Sequence, residues 1–289
     1  MEPPLDTLCF LPAPFDDVAL LLRRLAKLSP PLPPPTMRQL VGPTDDAAYD
    51  NPGGGRVFPY IPLDAYQSVF DFGCGCGRVA RQLIQQKPRP KRYVGIDLHR
   101  GMIKWCTTNL APFAPGFSFY HHNVFNISLN PEGVRPGQLA FPAADGEFSL
   151  VNAWSVFTHL SESAAAHYVH ECARILCPDG LVHSTWFLFD KTDFPMMQSF
   201  QNALFINDVD PTNAVIFDRQ WVRRTAASAG LVIYQVIPPA IRGFQWTLLM
   251  ARPREGLHEA SFPIDTAPAD IMRPPLMPAD ASAVGLAYR

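Results

Sequence analysis

The sequence has few charged residues and no long apolar run, and these two features exclude several functions. Charged residues make up 17% of the 289 residues, and the formal net charge is −2. A chain without a basic excess is a poor match for a phosphate backbone, so we expect no nucleic-acid partner. No run of about 18 apolar residues occurs, so we expect no membrane span. The start, "MEPPLDTLCF", lacks the features of a secretory signal, so we expect a cytoplasmic protein.

Cysteine motifs for metal or disulfide chemistry are also missing. None of the cysteines forms the paired Cys-x-x-Cys motifs of zinc sites, and the chain is large enough to fold without disulfides. We therefore expect reduced thiols and no metal site. The cysteines stand at positions 9, 74, 76, 106, 172 and 177. We expect Cys74 and Cys76 to pack as small residues, with a metal or redox pair as the alternative.

Proline is unusually frequent, and it marks the two ends of the chain. Many of the 31 prolines lie near the termini, as in "PPLPPP" at 30–35. The apolar spacing of residues 15–28 predicts an amphipathic helix before that stretch. We predict an N-terminal helix and proline-rich arm over 1–60 and a central domain over 61–254. We predict an extended or disordered tail over 255–289.

From Ser68 onward, apolar strand patterns alternate with helical patterns. This alternation predicts an α/β fold with a doubly wound, Rossmann-like sheet of seven strands that is mostly parallel. The last two strands, "LVIYQVI" and "GFQWTLLMA", are separated by only five residues. That connection is too short for a parallel crossover, so we expect the C-terminal strand to be antiparallel.

The stretch "DFGCGCG", residues 71–77, follows the first predicted strand and opens a helix. Ligands bind at this edge of such sheets, and Gly75-x-Gly77-x-x-Ala80 fits a dinucleotide fingerprint. Asp97 ends the second strand, where a carboxylate can bind ribose hydroxyls. These features indicate a ligand that contains adenosine, but they do not distinguish one such cofactor from another. Asp71 would repel a pyrophosphate and suits a ligand with a cationic amine, which leaves an NAD(P)-dependent oxidoreductase as an alternative.

Three segments resemble motifs I, II and IV of class I S-adenosylmethionine-dependent methyltransferases. They are "DFGCGCGRVARQL", "YVGIDL" and "FSLVNAWSVFTHLSE". "FGCGCGR" and "SVFTHL" further resemble a bacterial subgroup of that family. The resemblance covers about residues 68–252 and implies a methyltransferase with S-adenosylmethionine as its cofactor.

The resemblance also implies which residues bind the cofactor. The glycines would line its methionine part, Asp71 would hold its amino group directly or through water, and Asp97 would take its ribose hydroxyls. Asn123 stands where the family often has an acid, and its oxygen can still accept a bond from the adenine amine. The complete predicted set is Asp71, Gly73, Cys74, Gly75, Gly77, Asp97, Leu98, Asn123, Val124, Trp154 and Ser155.

Methylation of a hydroxyl needs a base, and histidine titrates near working pH. His159 follows the fourth strand at the ligand edge, so it is our predicted base, with His183 as the weaker candidate. Residues 190–217 form an unusually long connection that we interpret as an acceptor-binding lid. We predict acceptor contacts from Trp186, Phe194 and Phe205.

We expect O-methylation of a small hydroxylated acceptor, such as a sugar or a natural product. N-methylation of a small amine is the nearest alternative. An oxidoreductase and a non-catalytic nucleotide-binding protein that docks through its proline-rich ends are the others. The sequence leaves the oligomeric state open.

Overall fold

The computed structural model describes residues 29–135, 138–207, 209–240 and 243–263. The helix predicted over 15–28 and most of the tail predicted over 255–289 lie outside the described residues. The described residues form nine strands and five α-helices. The strands are β1 Ser68–Phe72, β2 Arg92–Asp97, β3 Phe117–His121, β4 Phe148–Ala153, β5 Leu176–Phe189, β6 Ala203–Phe205, β7 Val215–Asp218, β8 Val232–Ile237 and β9 Trp246–Ala251. The helices are α1 Pro35–Gln39, α2 Arg78–Gln85, α3 Arg100–Asn109, α4 Glu162–Ile175 and α5 Arg219–Ser228.

The main sheet has the strand order β3-β2-β1-β4-β5-β9-β8. Strands β1 to β5 pair in parallel, whereas β9 is antiparallel to both β5 and β8. The predicted Rossmann-like α/β fold and the antiparallel C-terminal strand are confirmed. The count of seven strands missed β6 and β7, which lie in the predicted lid and pair with each other and with the end of β5.

Side chains that accept hydrogen bonds from backbone N–H groups cap the first turns of the longer helices. Ser161 accepts a bond from the backbone N–H of Ala164 to begin α4, and Asp218 accepts one from Trp221 to begin α5. Each side chain satisfies a donor that the first helical turn cannot pair. Strand β5 begins directly after α4, at Leu176, so "CPDG" (177–180) lies within the strand. The pairing of β5 with β4 is irregular opposite Phe148–Leu150.

Successive residues of the central strands pack on opposite faces of the sheet. In β4, Leu150 joins the core that contains α2 and α3, while Val151 joins the core that contains α4. A strand that is covered on both faces needs apolar side chains at successive positions, which explains why the central strands are continuous apolar runs in the sequence. None of the described helices is long and apolar enough to cross a membrane.

Parts of both end segments pack on the central sheet. The Arg81 guanidinium of α2 donates to the carbonyls of Pro30 and Tyr49, at 2.9 and 2.8 Å, which holds the N-terminal segment against the helix. Near the other end, the Ala260 N–H donates to the Ile233 carbonyl at 2.8 Å. Residues 29–66 thus lie on the domain close to the glycine stretch, and the exact domain boundaries stay a prediction.

Candidate cofactor and acceptor site

The glycine loop between β1 and α2 is closely packed. The N–H groups of Gly73 and Cys74 both donate to the Ile96 carbonyl of β2, at 2.9 and 3.0 Å. Gly75 has φ +54°, and a Cβ there would lie 2.7 Å from Val41 Cγ1. A side chain at Gly75 would therefore meet both backbone strain and a steric clash. The contact with Val41 also shows that the N-terminal segment lies directly over the loop.

Asp97 lies at the end of β2 beside this loop. Its carboxylate accepts hydrogen bonds from the Gly75 N–H at 2.8 Å and the His99 N–H at 2.7 Å. These two bonds orient the carboxylate, and each oxygen retains a second lone pair for another donor. The side chain is only half-buried, so the geometry fits the hydroxyls of a ribose.

Asp71 lies in β1 and is buried beneath the glycine loop. Its side chain is 1% exposed and accepts hydrogen bonds from Tyr93 Oη and Asn152 Nδ2, both at 2.5 Å. Burial raises the pKa of Asp71 to about 6. Because the carboxylate is almost completely buried and each oxygen already accepts a protein donor, the structure leaves Asp71 no open face toward a cofactor amine.

The predicted adenine-side residues come together at the ends of β2 and β3. The His122 N–H donates to the Asp97 carbonyl at 2.9 Å, and His121 Nε2 lies 2.9 Å from the Leu98 carbonyl. Asn123 follows and accepts a hydrogen bond from Asn130 Nδ2 at 3.1 Å through its side-chain oxygen. Val124 is buried. The structure thus places Leu98, Asn123 and Val124 next to Asp97, with one acceptor position of Asn123 already used.

Trp154 and Ser155 directly follow β4 at the same edge. The Arg78 guanidinium lies 3.9 Å from the centre of the Trp154 ring, and Phe58 packs edge-on at 5.4 Å. Ser155 has φ +61°. Its N–H donates to Thr185 Oγ1 at 2.7 Å and its hydroxyl accepts from Gln245 Nε2 at 2.8 Å. A strained backbone held by such bonds is typical of functional positions.

His159 lies in a short 3₁₀ helix after β4, against the loop that precedes β7. Its Nδ1 is 3.2 Å from the Thr212 carbonyl oxygen, which can only accept, so Nδ1 carries the proton. His159 is exposed at the surface, and the partial loss of water beside the neighbouring loop lowers its pKa. The ring is therefore neutral near pH 7, with Nε2 as the nitrogen that can accept a proton.

The predicted acceptor contacts separate into two kinds. Trp186 is 0% exposed, stacks on Phe157 at 4.1 Å and belongs to the core, so it cannot contact an acceptor in this structure. The apolar pattern around it could not distinguish a core position from a pocket wall. Phe194 and Phe205 are 46% and 49% exposed, on the connection after β5.

A polar cleft of about 340 Å³ lies at the end of β5, between this connection and the start of α5. Its lining includes Asp190, Lys191 and Thr192 from the connection and Asp218 and Arg224 from the start of α5. Hydroxyl and amine groups of an acceptor could form hydrogen bonds with such a lining.

Several residues of this site were missed by the sequence analysis. Arg78 could have been found, because a cation directly after the last glycine of a ligand-binding loop is visible in the sequence. Val41, Phe58 and Tyr60 carried no local signal, because their contacts join distant parts of the chain.

Cys74 and Cys76 are buried in the loop, and burial raises the pKa of both thiols. Cys76 Sγ lies 3.6 Å from Tyr49 Oη of the N-terminal segment. Cys74 packs in the core that contains α2 and α3, and Cys76 packs with Tyr49 and Met102, which is the packing role that their size suggests.

Residues 69–180 match the family model of the methyltransferase domain. This segment contains the glycine loop, Asp97, Asn123 and the end of β4, so these residues lie in the part of the chain that is similar to a methyltransferase domain. The predicted methyltransferase is confirmed at that level, and S-adenosylmethionine as the predicted cofactor agrees with it. The finer resemblance to a bacterial subgroup stays a prediction.

Solved structures with a similar fold include several methyltransferases. One is a SAM-dependent methyltransferase from Methanosarcina mazei, with 17% identity over 64% of this chain and 92% of that chain and a TM-score of 0.45. Another is the magnesium protoporphyrin IX methyltransferase of Synechocystis with bound SAM, with 14% identity over 64% and 69% and a TM-score of 0.42. A third is an O-methyltransferase from neocarzinostatin biosynthesis with bound S-adenosyl-L-homocysteine, with 14% identity over 67% and 51% and a TM-score of 0.45. The match to the family model, and not these distant likenesses, carries the assignment.

Proposed function

We propose that the protein transfers the methyl group of S-adenosylmethionine to the oxygen of a small hydroxylated acceptor. The observation that carries this proposal is the placement of the glycine loop, Asp97 and Asn123 within the segment that matches a methyltransferase domain. The glycine loop and Trp154 would hold the methionine part of the cofactor, Asp97 the ribose, and Leu98, Asn123 and Val124 the adenine. When bound, the cofactor supplies an activated methyl group on a sulfonium.

His159 is the proposed base for the acceptor hydroxyl. Its neutral ring presents Nε2 as a proton acceptor because the Thr212 carbonyl holds Nδ1–H. The polar cleft at the end of β5 supports a hydroxylated acceptor. Phe194 and Phe205 lie on the same connection outside the lining of that cleft, and their exposed rings support an apolar part of the acceptor. N-methylation of a small amine is the remaining alternative within this class, since it depends less on a base.

Two features oppose a dinucleotide-dependent oxidoreductase. The buried Asp71 lies directly beneath the loop on which a pyrophosphate would have to rest, and its charge would repel that group. The antiparallel β9 between β5 and β8 is the arrangement that the methyltransferase resemblance implies. A non-catalytic nucleotide-binding protein would share this site and differ only in turnover.

Calorimetric titration with S-adenosylhomocysteine and, separately, NADH tests the cofactor. We expect micromolar binding of the first alone. Asp97→Ala should weaken that binding by about 1.5–3 kcal/mol, the range for a hydrogen bond to a charged group. Asp179→Ala is the matched control, because that side chain is 92% exposed and distant in the sequence from the loop. Binding of NADH alone would refute the proposal.

Acceptor turnover is then measured with a labelled methyl donor over a panel of sugars, phenols and amines. His159→Ala should bind S-adenosylhomocysteine as the unaltered protein does and lose turnover by about 100-fold or more. Turnover of amines but not of hydroxyls would favour N-methylation, and cofactor binding without turnover would favour the non-catalytic alternative.

A further inference from the structure

A continuous row of hydrogen-bonded side chains crosses the middle of the sheet. Asp71, Asn152 and His183 are adjacent in register on β1, β4 and β5, and they are 1%, 0% and 1% exposed. Tyr93 Oη lies 2.5 Å from Asp71 at one end, and Asn152 Oδ1 lies 2.6 Å from His183 Nδ1 further along. His183 Nε2 lies 2.9 Å from Tyr60 Oη at the other end. We call Tyr93, Asp71, Asn152, His183 and Tyr60 the polar row.

The bonds of the polar row all point the same way from Tyr60 to Asp71. Asn152 donates through Nδ2 to Asp71, so its oxygen faces His183 and must accept. His183 therefore carries its proton on Nδ1. Burial lowers the pKa of His183 to about 3, so the ring is neutral and Nε2 accepts from the Tyr60 hydroxyl. Every donor in the row thus points toward the buried carboxylate.

Tyr60 connects this buried row to the segment that covers the site. In the same segment the Phe58 ring contacts His183 at 4.2 Å and meets the edge of Trp154 at 5.4 Å. Trp154 in turn lies under the Arg78 guanidinium. A displacement of residues 58–60 would therefore remove the support of the aromatic ring at the end of β4 and of the cation that follows the glycine loop.

We propose that Tyr60 and His183 are positioning residues of the cofactor site, which hold residues 58–60 so that Phe58 keeps Trp154 and Arg78 in place. This inference depends on the proposed function for its ligand. Tyr60 acts from outside the sheet, because its side chain is 37% exposed and it precedes β1. The row also gives the buried Asp71 a role that needs no contact with the cofactor.

Tyr60→Phe removes the terminal bond of the row, together with the hydrogen bond between the Tyr60 hydroxyl and the Thr247 side chain. We expect the Kd for S-adenosylhomocysteine to rise about threefold to tenfold, consistent with the loss of hydrogen bonds at this hydroxyl. Amide hydrogen exchange in residues 56–61 should become faster at the same time. Tyr234→Phe is the matched control, because it removes a phenolic hydroxyl from β8 on the same core face and should change neither measurement.

His183 variants separate positioning from simple stability. In His183→Gln the amide can still accept from Tyr60 and donate to Asn152, whereas His183→Leu can do neither. We expect the glutamine variant to keep an affinity within about threefold of the unaltered protein and the leucine variant to lose about tenfold or more. Equal binding by both variants, or unchanged affinity and exchange in Tyr60→Phe, would overturn the proposal.

The two proposals fail in distinguishable ways. If the unaltered protein binds no S-adenosylhomocysteine, the proposed function fails. The exchange of residues 56–61 in Tyr60→Phe then still decides whether the polar row holds that segment. If the protein binds the ligand but Tyr60→Phe behaves as Tyr234→Phe does, only the positioning role fails.

Discussion

The two sides of the candidate site differ in how completely the protein satisfies its own groups. On the glycine-loop side, backbone N–H groups hold Asp97, and Asp71, Asn152 and His183 of the polar row are buried. Val41 and Tyr49 of the N-terminal segment contact the loop. On the other side, the connection between β5 and β7 exposes Met196, Phe200 and Val209 at 89%, 75% and 83%. The glycine-loop side is already ordered without a ligand, so binding there costs little conformational entropy. Such a pre-organised site suits a cofactor that is the same in every reaction cycle. The exposed half is the part that an acceptor would complete.

The largest expected contrast comes from two aromatic residues that the sequence analysis treated alike. Trp186→Ala should lower the free energy of unfolding by about 3–5 kcal/mol, because it opens a cavity in the core. Phe194→Ala should change it by less than about 0.5 kcal/mol, because that ring is largely exposed. Urea denaturation of both variants measures the difference, and similar values would show that the connection after β5 packs more tightly than the structure indicates.

A second contrast uses two glycines with the same backbone angle. Gly73 and Gly230 both have φ +74°, but a Cβ on Gly73 would lie 2.3 Å from Val156 Cγ2, whereas a Cβ on Gly230 meets nothing within 4 Å. Gly230→Ala should cost about 1–2 kcal/mol from backbone strain alone. Gly73→Ala should cost more and should also weaken S-adenosylhomocysteine binding. Denaturation and calorimetry test both, and equal costs would mean that Val156 moves aside freely.

The buried histidines predict a dependence of stability on pH. Burial lowers the pKa of His183 to about 3 and that of His122 to about 4, against an ordinary value near 6.5. Below pH 6.5 these two histidines bind protons in the unfolded chain but stay unprotonated in the folded protein. The free energy of unfolding therefore falls as pH falls. Asp71, with its pKa raised to about 6, acts in the opposite sense, since below that pH the folded protein binds the extra proton.

The two histidines outweigh this one carboxyl, and we expect a net loss of about 2 kcal/mol between pH 7 and pH 5 from these three groups. His183→Gln should lose less over the same interval, because one of the histidines is gone. Denaturation at the two pH values checks this, and an identical loss in the variant would show that His183 does not remain neutral in the folded state.

Local patterns made much of the fold readable in advance. Strand β1 begins at Ser68, where the predicted alternation of strands and helices starts. The short connection between the last two strands required an antiparallel pair, as found in β8 and β9. The glycine loop and Asp97 were recognisable in the sequence because the loop joins the first strand to a helix and Asp97 ends the next strand, so both lie close together in the chain. The small strands β6 and β7 were missed because their pairing depends on β5 rather than on their own pattern.

The sequence by itself determined the α/β class, the glycine loop and the cofactor edge, since these depend on periodicity and on residues close together in the chain. Only the tertiary structure decided that Asp71 is buried beneath the loop, that Trp186 belongs to the core, and that Tyr60 meets His183 across 123 positions of sequence. Burial and long-range hydrogen bonds arise from which elements pack together, and a residue's neighbours in the chain carry little information about that packing.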